Sequence, residues 1–308
     1  MNTFKALLLF SGGLDSILAA KILKKGKIKV VPVCFKSYFF NCQLAEKSAQ
    51  NLGLKVKIID FSKEHLKMVK KPRHGRGRGM NPCLDCHLLM LRMAKKIMEK
   101  EKLDFIATGE VLEERPFSQN KKALFKIEKE TGLENQVLRP LSARLLPLTR
   151  AEEKNMVKRK TLFAIKGKSR KPQLFLAEAF NVFEFPSPAG GCILTDLEYS
   201  KKIKKLFEKV DYFDGNDIQV LRLGRVFWQD KNLFVVGRNE KENKELKKLK
   251  KKKDLFLEPI NFPGPTVLLR PFEGKKTEKK TILRAKRLLQ KYTKKNLSKI
   301  KIKISFDS

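Results

Sequence analysis

The sequence predicts an α/β fold, with a parallel sheet and helices on both of its faces, for its first two thirds. Short apolar runs alternate with segments of helical apolar spacing, and this alternation is typical of a parallel sheet covered by helices. Breaks that contain glycine, Ser11-Gly-Gly13 and Gly109-Glu110, follow the first and the last of these runs. They lie at the edge where open α/β sheets bind ligands. Strands are expected at 5–10, 29–35, 55–60 and 104–108, and helices at 17–23, 42–52 and 88–100.

The remainder of the chain has shorter alternating strands and more lysine-rich segments, and this pattern predicts a smaller α+β domain. A basic helical segment runs from Leu197 to Val210, and a turn at 214–217 follows it. We place the boundary near residue 208, which gives domains of 1–207 and 208–308. Short alternating strands are then expected at 219–223, 226–228 and 233–237, and the tail 276–303 reads as a lysine-rich helix followed by a strand at 300–304.

The charge of the chain points to a polyanionic partner. Its 308 residues include 69 Lys or Arg and 33 Asp or Glu, a formal net charge of +36. Such a charge destabilises a compact state unless a polyanion neutralises it, which favours nucleic acid. Lysines that only confer solubility are the alternative, and an anionic membrane surface fits less well because no stretch pairs a basic face with a broad apolar one. No apolar run reaches the ~20 residues of a membrane helix, so we expect a cytoplasmic protein without a membrane partner.

The segment Ser11-Gly-Gly-Leu-Asp-Ser16 is a candidate phosphate site between the first strand and the first helix. The two glycines let successive N–H groups converge on an anion, and the helix N-terminus adds positive potential. Asp15 is placed to hold Mg²⁺ on a pyrophosphate. The candidate nucleotide-binding residues are Ser11, Gly12, Gly13, Asp15 and Ser16, with Gly109 at the end of the strand 104–108.

This segment resembles the PP-loop motif Ser-Gly-Gly-x-Asp-Ser of the N-type ATP pyrophosphatases. The resemblance implies an adenine nucleotide alpha hydrolase-like fold. It also implies that ATP is split to AMP and pyrophosphate as a substrate oxygen is adenylated. The cofactors implied are ATP and Mg²⁺.

Three of the five cysteines form a second candidate site. Cys83 and Cys86 make a Cys-x-x-Cys unit at the mouth of a helix, and Cys192 follows a second glycine-rich segment. The odd count argues against a disulfide framework and for metal-binding or catalytic thiols. A redox or persulfide pair of Cys86 with Cys192, a three-thiolate iron–sulfur cluster, and a zinc site with His87 as fourth ligand all remain open. Cys34 and Cys42 are expected to be core or loop thiols.

Asn81-Pro-Cys-Leu-Asp-Cys-His87 resembles a segment of the tRNA 2-thiouridylases of the MnmA type, and Gly191-Cys192 is similar to the position of their second active cysteine. The resemblance covers about residues 1–200. It makes Cys86 and Cys192 catalytic together with Asp15. Cys83 stands where many members carry Asp, and relatives with Cys there use a [4Fe–4S] cluster, here on Cys83, Cys86 and Cys192. Ala107-Thr-Gly-Glu110 departs from the Ala-Thr-Gly-His usual in the family.

Two basic regions are candidates for RNA contact. The segment Lys70–Gly79 holds three glycines and a proline, so we expect a flexible loop that presents Arg73, Arg76 and Arg78. Residues 216–305 resemble the RNA-binding module of the NFACT family, with matching strings around Gly-Arg-Asn239, Asp254-Leu-Phe and Gly264-Pro-Thr-Val. There the candidates are Arg238, Lys250 and Lys251, and Arg225, Trp228 and Asn239 could stack on or contact splayed bases.

Together these features predict an ATP-dependent tRNA sulfurtransferase that adenylates a uracil carbonyl oxygen and replaces it with sulfur from a cluster or a cysteine persulfide. The partners are tRNA and a sulfur donor, either sulfide or a desulfurase or carrier protein. Glu110, Arg115 and Gln119 could orient ATP or the base. Two alternatives remain: a non-catalytic RNA-binding or ribosome-associated factor with a vestigial PP-loop, and a PP-loop ligase acting on a small molecule.

Overall fold

The computed structural model describes residues 3–186, 192–273, 277–293 and 300–305. The chain forms two compact units, Met1–Thr195 and Asp196–Ser308. The boundary expected near residue 208 would fall at the end of helix Leu197–Lys209, whereas this helix begins the second unit. The reason is local: Tyr199 Oη donates to the Ile218 carbonyl at 3.2 Å and Lys202 Nζ to that of Leu221 at 3.3 Å.

The first unit contains a five-stranded parallel sheet in the order β3-β2-β1-β4-β5. Its strands are β1 (Lys5–Leu9), β2 (Lys29–Lys36), β3 (Lys57–Asp60), β4 (Phe105–Thr108) and β5 (Val137–Leu138). Its helices are α1 (Leu14–Lys25), α2 (Gln43–Asn51), α3 (Ser62–Lys70), α4 (Cys83–Lys100), α5 (Lys121–Thr131), α6 (Arg150–Glu153) and α7 (Lys171–Ala179).

Two apolar layers cover the faces of this sheet, as the α/β prediction requires. Leu8 of β1 belongs to one layer, which takes in α1, α2 and α7, and Leu7 of the same strand belongs to the other, with α4 and α5. Consecutive strand residues point to opposite faces. The predicted parallel sheet with helices on both faces is therefore confirmed, and the N-terminal ends of α1 and α4 lie at its carboxyl edge.

The second unit is built on a five-stranded antiparallel sheet in the order β10-β8-β9-β7-β6, and the predicted smaller α+β domain is confirmed. Helix α11 packs Ala285 and Leu289 against the apolar face of this sheet. The strands are β6 (Arg225–Gln229), β7 (Asn232–Val236), β8 (Leu255–Pro259), β9 (Val267–Pro271) and β10 (Ile302–Ser305); the helices are α8 (Leu197–Lys209), α9 (Gly215–Val220), α10 (Glu240–Lys248) and α11 (Lys279–Thr293).

One predicted strand is wrong. Residues 219–223 were expected to be extended, but α9 occupies 215–220 and a turn follows it. Asp214 starts the helix, because its side chain accepts from the Asn216 and Asp217 N–H groups and Asp217 returns a bond to the Asp214 N–H. This reciprocal cap outweighs the β propensity of Val220 and Leu221. Among the described residues no helix is long and apolar enough to span a membrane.

Candidate functional site

The phosphate loop runs from the end of β1 into the first turn of α1. Gly12 has φ +78, and a Cβ there would lie 2.5 Å from the Leu44 carbonyl oxygen, so the loop can pack on α2 only with glycine at this position. Ser48 Oγ donates to the Gly12 carbonyl at 3.0 Å, and Ser16 Oγ donates to that of Gly13 at 2.8 Å. The first N–H groups of α1 have no acceptor within the helix and remain for an anion.

Gly109 brings the end of β4 against this loop. A Cβ on Gly109 would lie 2.6 Å from the Ser16 nitrogen. The close approach requires glycine and fixes where the first turn of α1 sits on the sheet. The structure thus brings the predicted nucleotide-binding residues together, with Gly109 in contact with the backbone of the loop.

Asp15 lies half-buried at the centre of this site. Burial raises the pKa of its carboxyl, while the Arg170 guanidinium, the Gln173 amide and the Arg115 guanidinium oppose that rise. Asp15 Oδ1 has no hydrogen-bond partner. A buried carboxylate oxygen without a partner is costly, and a bound cation would relieve this cost.

Two residues that surround Asp15 were missed by the sequence analysis. Gln173 is fully buried, and its amide acts on the Asp15 carboxylate, whereas its carbonyl oxygen and Arg170 Nε have no hydrogen-bond partner. Both residues lie at the start of α7, which Pro172 marks as a helix N-terminus. The sequence signalled the start of the helix but not its proximity to residue 15.

The segment 110–119 contains three predicted site residues, Glu110, Arg115 and Gln119, and they differ in their relation to the site. Burial alone would raise the pKa of Glu110, but Arg139, with His87 and Thr108, outweighs it and lowers that pKa to about 2. Glu110 is thus held in a buried ion pair, with its Oε2 2.9 Å from Arg139 Nε. Gln119 Oε1 accepts from the Arg115 N–H at 3.1 Å. Of the three candidates, Arg115 is the one whose charge acts on Asp15.

The three cysteines outside the Cys34–Cys42 disulfide come from two segments of the first unit. Cys83 and Cys86 lie in the first turn of α4, and the Met80 N–H donates to the Leu194 carbonyl at 2.9 Å, which holds the Cys192 segment beside that turn. Burial, followed by the negative potential of Cys192 and Cys83, raises the pKa of the Cys86 thiol well above its usual range. Gly191, quoted in the predicted motif, lies outside the described residues.

Cysteine thiols are the ligands that iron–sulfur clusters use, and the three cysteines outside the disulfide lie near one another, since Cys83 and Cys192 both act on Cys86 electrostatically. Asn81 Nδ2 donates to Cys83 Sγ at 3.0 Å. Within the described ranges, no three His, Cys, Asp or Glu side chains form a group that could hold a single metal ion. His87, the fourth zinc ligand considered, faces Glu110 Oε1 from its Nδ1 at 2.8 Å.

His65 is a third residue that the sequence analysis missed. Its Nε2 lies 3.4 Å from Cys86 Sγ and its Nδ1 lies 2.9 Å from Ser37 Oγ. Burial lowers the pKa of His65 to about 4. A lone histidine between Glu64 and Leu66 on a helix carries no motif, so only the fold could reveal this contact.

Cys34 and Cys42 are buried in the core, in agreement with the prediction of core or loop thiols, but the prediction that they are thiols is wrong. They form a disulfide with a Cα–Cα distance of 6.1 Å. Cys34 lies near the end of β2 and Cys42 immediately precedes α2, so the βα connection brings them within the range that a disulfide spans. The odd number of cysteines in the sequence does not exclude one such local pair.

The basic loop 70–79 is irregular but anchored. Both nitrogens of the His74 ring face carboxylates, Nδ1 towards Asp85 and Nε2 towards Glu130, each at 2.9 Å. Arg73, Arg76 and Arg78 are exposed, although Arg73 Nη1 lies 3.3 Å from Glu130 Oε2 and Arg76 Nη2 donates to the Val69 and Lys70 carbonyls. A Cβ on Gly77 would lie 3.5 Å from the ring of Phe117, so this loop packs against the segment that also carries Arg115.

The candidate RNA contacts of the second unit are largely engaged within the unit. Lys251 Nζ lies 3.0 Å from Asp214 and 2.9 Å from Asp217, and Arg238 pairs with Glu242. Lys250 is half-buried. The exposed lysines of the same run are Lys247, Lys248, Lys252 and Lys253. Asn239 caps α10, and Trp228 stacks on Phe272 with ring centroids 5.9 Å apart.

Comparison with known proteins supports this two-part organisation. Residues 2–144 match the family model of the thiamine biosynthesis protein ThiI, and residues 224–308 match that of the NFACT protein RNA binding domain. The tRNA-specific 2-thiouridylase MnmA of Karelsulcia muelleri is 27% identical over 240 residues, which are 73% of this chain and 59% of that protein. A probable tRNA sulfurtransferase of Finegoldia magna is 31% identical over 143 residues, 45% of this chain and 36% of that protein.

Among solved structures, a 4-thiouridine synthetase in complex with RNA and ATP is 23% identical, with a TM-score of 0.37, over 58% of this chain and 52% of its own. The chain spans less than two thirds of the length of each relative named here. The motifs and both family matches nevertheless agree on the same division of the chain. The chain thus combines an N-terminal unit that carries the PP-loop motif and is similar to the thiamine biosynthesis protein ThiI and to the tRNA-specific 2-thiouridylase MnmA with a C-terminal unit that is similar to the NFACT protein RNA binding domain.

Proposed function

We propose that this protein is an ATP-dependent tRNA sulfurtransferase that makes thiouridine. The observation that carries the proposal is the placement of two sites at one edge of one sheet. The phosphate loop opens α1 and the thiols Cys83 and Cys86 open α4, and both helix N-termini lie at the carboxyl edge of the parallel sheet. A nucleotide and a sulfur-bearing group are thereby held in the same unit.

The chemistry assigned to the phosphate loop is activation of a uracil carbonyl. Its oxygen attacks the α-phosphorus of ATP, pyrophosphate leaves, and the adenylated oxygen later departs with AMP when sulfur takes its place on the carbon. The N–H groups of the loop and of α1 bind the phosphates. Asp15 would hold Mg²⁺, which would supply charge neutralisation for the phosphates, and Arg115 and Arg170 offset the negative charge of the Asp15 carboxylate.

The sulfur is assigned to the three cysteines outside the disulfide. Cys83, Cys86 and Cys192 would hold a [4Fe–4S] cluster, and sulfide would then be a sufficient donor. When bound, such a cluster supplies one iron without a protein ligand, a soft site for a sulfur species. The alternative for the same residues is a persulfide on Cys86 or Cys192, which would take its outer sulfur from the persulfide of a desulfurase or carrier protein as that donor's thiolate leaves.

Transfer RNA is the proposed polyanion. Arg73, Arg76 and Arg78 expose guanidinium groups on the loop anchored to Asp85 at the start of α4, and the lysine run of the second unit adds exposed cationic groups. Phosphates neutralised by these residues contribute affinity through counterion release. The chain's net charge of +36 is consistent with such a partner.

The test is in vitro thiolation followed by mass spectrometry of the tRNA nucleosides. Purified protein with iron, sulfide, ATP and Mg²⁺ is expected to form thiouridine in tRNA from a strain lacking the gene. Asp15→Asn and Cys86→Ser should each lower the yield by about a hundredfold or more, as losses of reacting groups do. Glu153→Gln, on an exposed side chain, is the control.

An unchanged thionucleoside profile in the deletion strain, together with no product in vitro, would overturn the proposal. Binding of tRNA without ATP consumption would favour a non-catalytic RNA-binding factor. Release of pyrophosphate that does not depend on tRNA would favour a ligase acting on a small molecule.

A further inference from the structure

A chain of contacts leads from Ser37 through His65 to Cys86, and the proposed chemistry leaves it unused. Ser37 follows the end of β2, His65 lies on α3 and Cys86 on α4. Ser37 Oγ is 2.9 Å from His65 Nδ1, and His65 Nε2 is 3.4 Å from Cys86 Sγ. The His65 imidazole on α3 thus connects the residue after β2 with the sulfur of Cys86 on α4.

The imidazole is held in a fixed orientation by aromatic rings. Phe61 stacks on it with centroids 4.9 Å apart, and Phe39 and Phe40 meet it edge-on at 5.6 Å and 5.3 Å. Its residue is 1% exposed, so water does not compete for its two nitrogens. Rotation of the ring about its χ angles would collide with these neighbours.

The hydrogen bonds of Ser37 determine which ring nitrogen carries the proton. Ser37 Oγ accepts from the Phe39 N–H at 3.0 Å, and its own hydrogen has His65 Nδ1 as the acceptor in reach. Ser37 is itself buried, so a hydroxyl hydrogen directed elsewhere would go unsatisfied at a cost of roughly 1–3 kcal/mol. Nδ1 is therefore the acceptor, and the proton of the neutral ring resides on Nε2, which faces the sulfur.

We propose that His65 is a positioning residue that donates a hydrogen bond from Nε2 to the sulfur of Cys86 and is kept in this tautomer by Ser37. The hydrogen bond stabilises negative charge on that sulfur, whether it is a metal-bound thiolate or part of a persulfide. The effect on sulfur chemistry rests on the proposed function, whereas the tautomer does not.

The first experiment reads the tautomer directly by ¹⁵N NMR of the histidine rings in the full-length, reduced, metal-free protein. The chain has three histidines, and His65→Phe assigns the resonances by difference. We expect His65 to have a protonated Nε2 and an unprotonated Nδ1, and Ser37→Ala to weaken this preference. A proton on Nδ1 in the unmodified protein would overturn the proposal.

The second experiment measures the midpoint potential of protein reconstituted anaerobically with iron and sulfide. A hydrogen bond from His65 to the Cys86 sulfur stabilises the reduced cluster, because the reduced state carries more negative charge. Its loss in His65→Phe should therefore shift the midpoint potential to a lower value. His65→Gln, which keeps an N–H donor, should restore part of the shift. Lys67→Arg, at an exposed position of α3 and with the charge kept, is the control and should leave the potential unchanged.

The outcomes separate this proposal from the proposed function. An unchanged potential in His65→Phe, with a normal iron content, would overturn the role of His65. An unmodified protein that binds no iron removes the cluster from the proposed function, and the NMR result alone then decides the hydrogen bond.

Discussion

Two clusters of buried polar groups, one in each unit, are partnered in opposite ways. Around Asp15 in the first unit, one carboxylate oxygen, the Gln173 carbonyl oxygen and Arg170 Nε lack hydrogen-bond partners. In the second unit, Arg270 is as deeply buried but pairs with Asp217 at 2.7 Å and Asp254 at 2.6 Å, and it also reaches the Leu249 carbonyl. Unpaired polar groups indicate a place for a ligand, and paired ones indicate a scaffold.

The contrast also corrects a simple interpretation of charge. A chain with a net charge of +36 invites the assignment of every cluster of basic residues to nucleic acid. Lys251 and Arg238 instead neutralise carboxylates of their own unit. The distances in the structure are needed to distinguish basic side chains that pair with carboxylates of the unit from those that can bind a ligand.

The largest effect is expected at the paired network of the second unit. Arg270→Ala leaves Asp254 buried without its cation and Asp217 with Lys251 alone, and it should lower the free energy of unfolding of this unit by about 3–5 kcal/mol. Trp228 is the single tryptophan of the chain, so its fluorescence in a urea titration reports on this unit alone. Arg287→Ala, at an exposed position, is the control. A loss below about 1 kcal/mol would show that the network does not stabilise the unit.

Glu110 tests whether the first unit also contains a scaffold network beside its unpaired site. Because the folded pKa of about 2 lies below the usual 4.5, Glu110 binds its proton more readily in the unfolded state. Its contribution, on the order of 3 kcal/mol, is present above the usual pKa and is lost as the pH falls from about 4.5 towards about 2.

The variant Glu110→Gln should therefore be less stable at neutral pH and less sensitive to acid than the unmodified protein. Far-ultraviolet circular dichroism during denaturation over a pH series measures this, with Glu134→Gln at an exposed position as the control. If Glu110→Gln were fully stable but inactive in thiolation, Glu110 would take part in the reaction. The contrast between paired scaffold groups and unpaired site groups would then fail.

The sequence predicted the fold of the first unit well because its signals are local. The Ser-Gly-Gly-x-Asp-Ser motif, the apolar strands and the helix after Cys86 each depend on residues close together in the chain. It missed His65, Arg170 and Gln173 because their partners Cys86 and Asp15 are distant in sequence. It also missed the Cys34–Cys42 pair, which depends on how β2 and α2 meet. Long-range proximity leaves no periodic signal in a single sequence.

Gln173 gives a test with opposite effects on stability and activity. Gln173→Met keeps the size of the side chain and removes a buried carbonyl oxygen without a partner, so the free energy of unfolding should stay equal or rise by about 1 kcal/mol. Thiolation should fall by about tenfold, because the amide beside Asp15 is lost. Gln50→Met, at an exposed position, controls for the added apolar group. A destabilised but fully active variant would assign Gln173 to the scaffold.

The smallest effect, on tRNA affinity, is expected within the lysine run 247–253, where exposed and paired lysines are neighbours. Lys252 and Lys253 are exposed, whereas the neighbouring Lys251 holds Asp214 and Asp217. If exposure decides which lysines meet RNA, Lys252→Ala and Lys253→Ala should each weaken tRNA binding a few-fold. Each should also reduce the slope of log affinity against log salt by about 0.7–0.9, the value for one lost phosphate contact.

Lys251→Ala is the matched control for these two variants, since it removes the same charge from an adjacent position. It should leave the salt slope almost unchanged and lower the free energy of unfolding by about 1 kcal/mol, because the half-buried ion pairs with Asp214 and Asp217 are lost. Filter binding of tRNA over a series of salt concentrations, together with urea titrations of all three variants, measures both quantities. If Lys251→Ala reduced the salt slope as much as Lys252→Ala, total charge and not geometry would govern RNA contact in this unit.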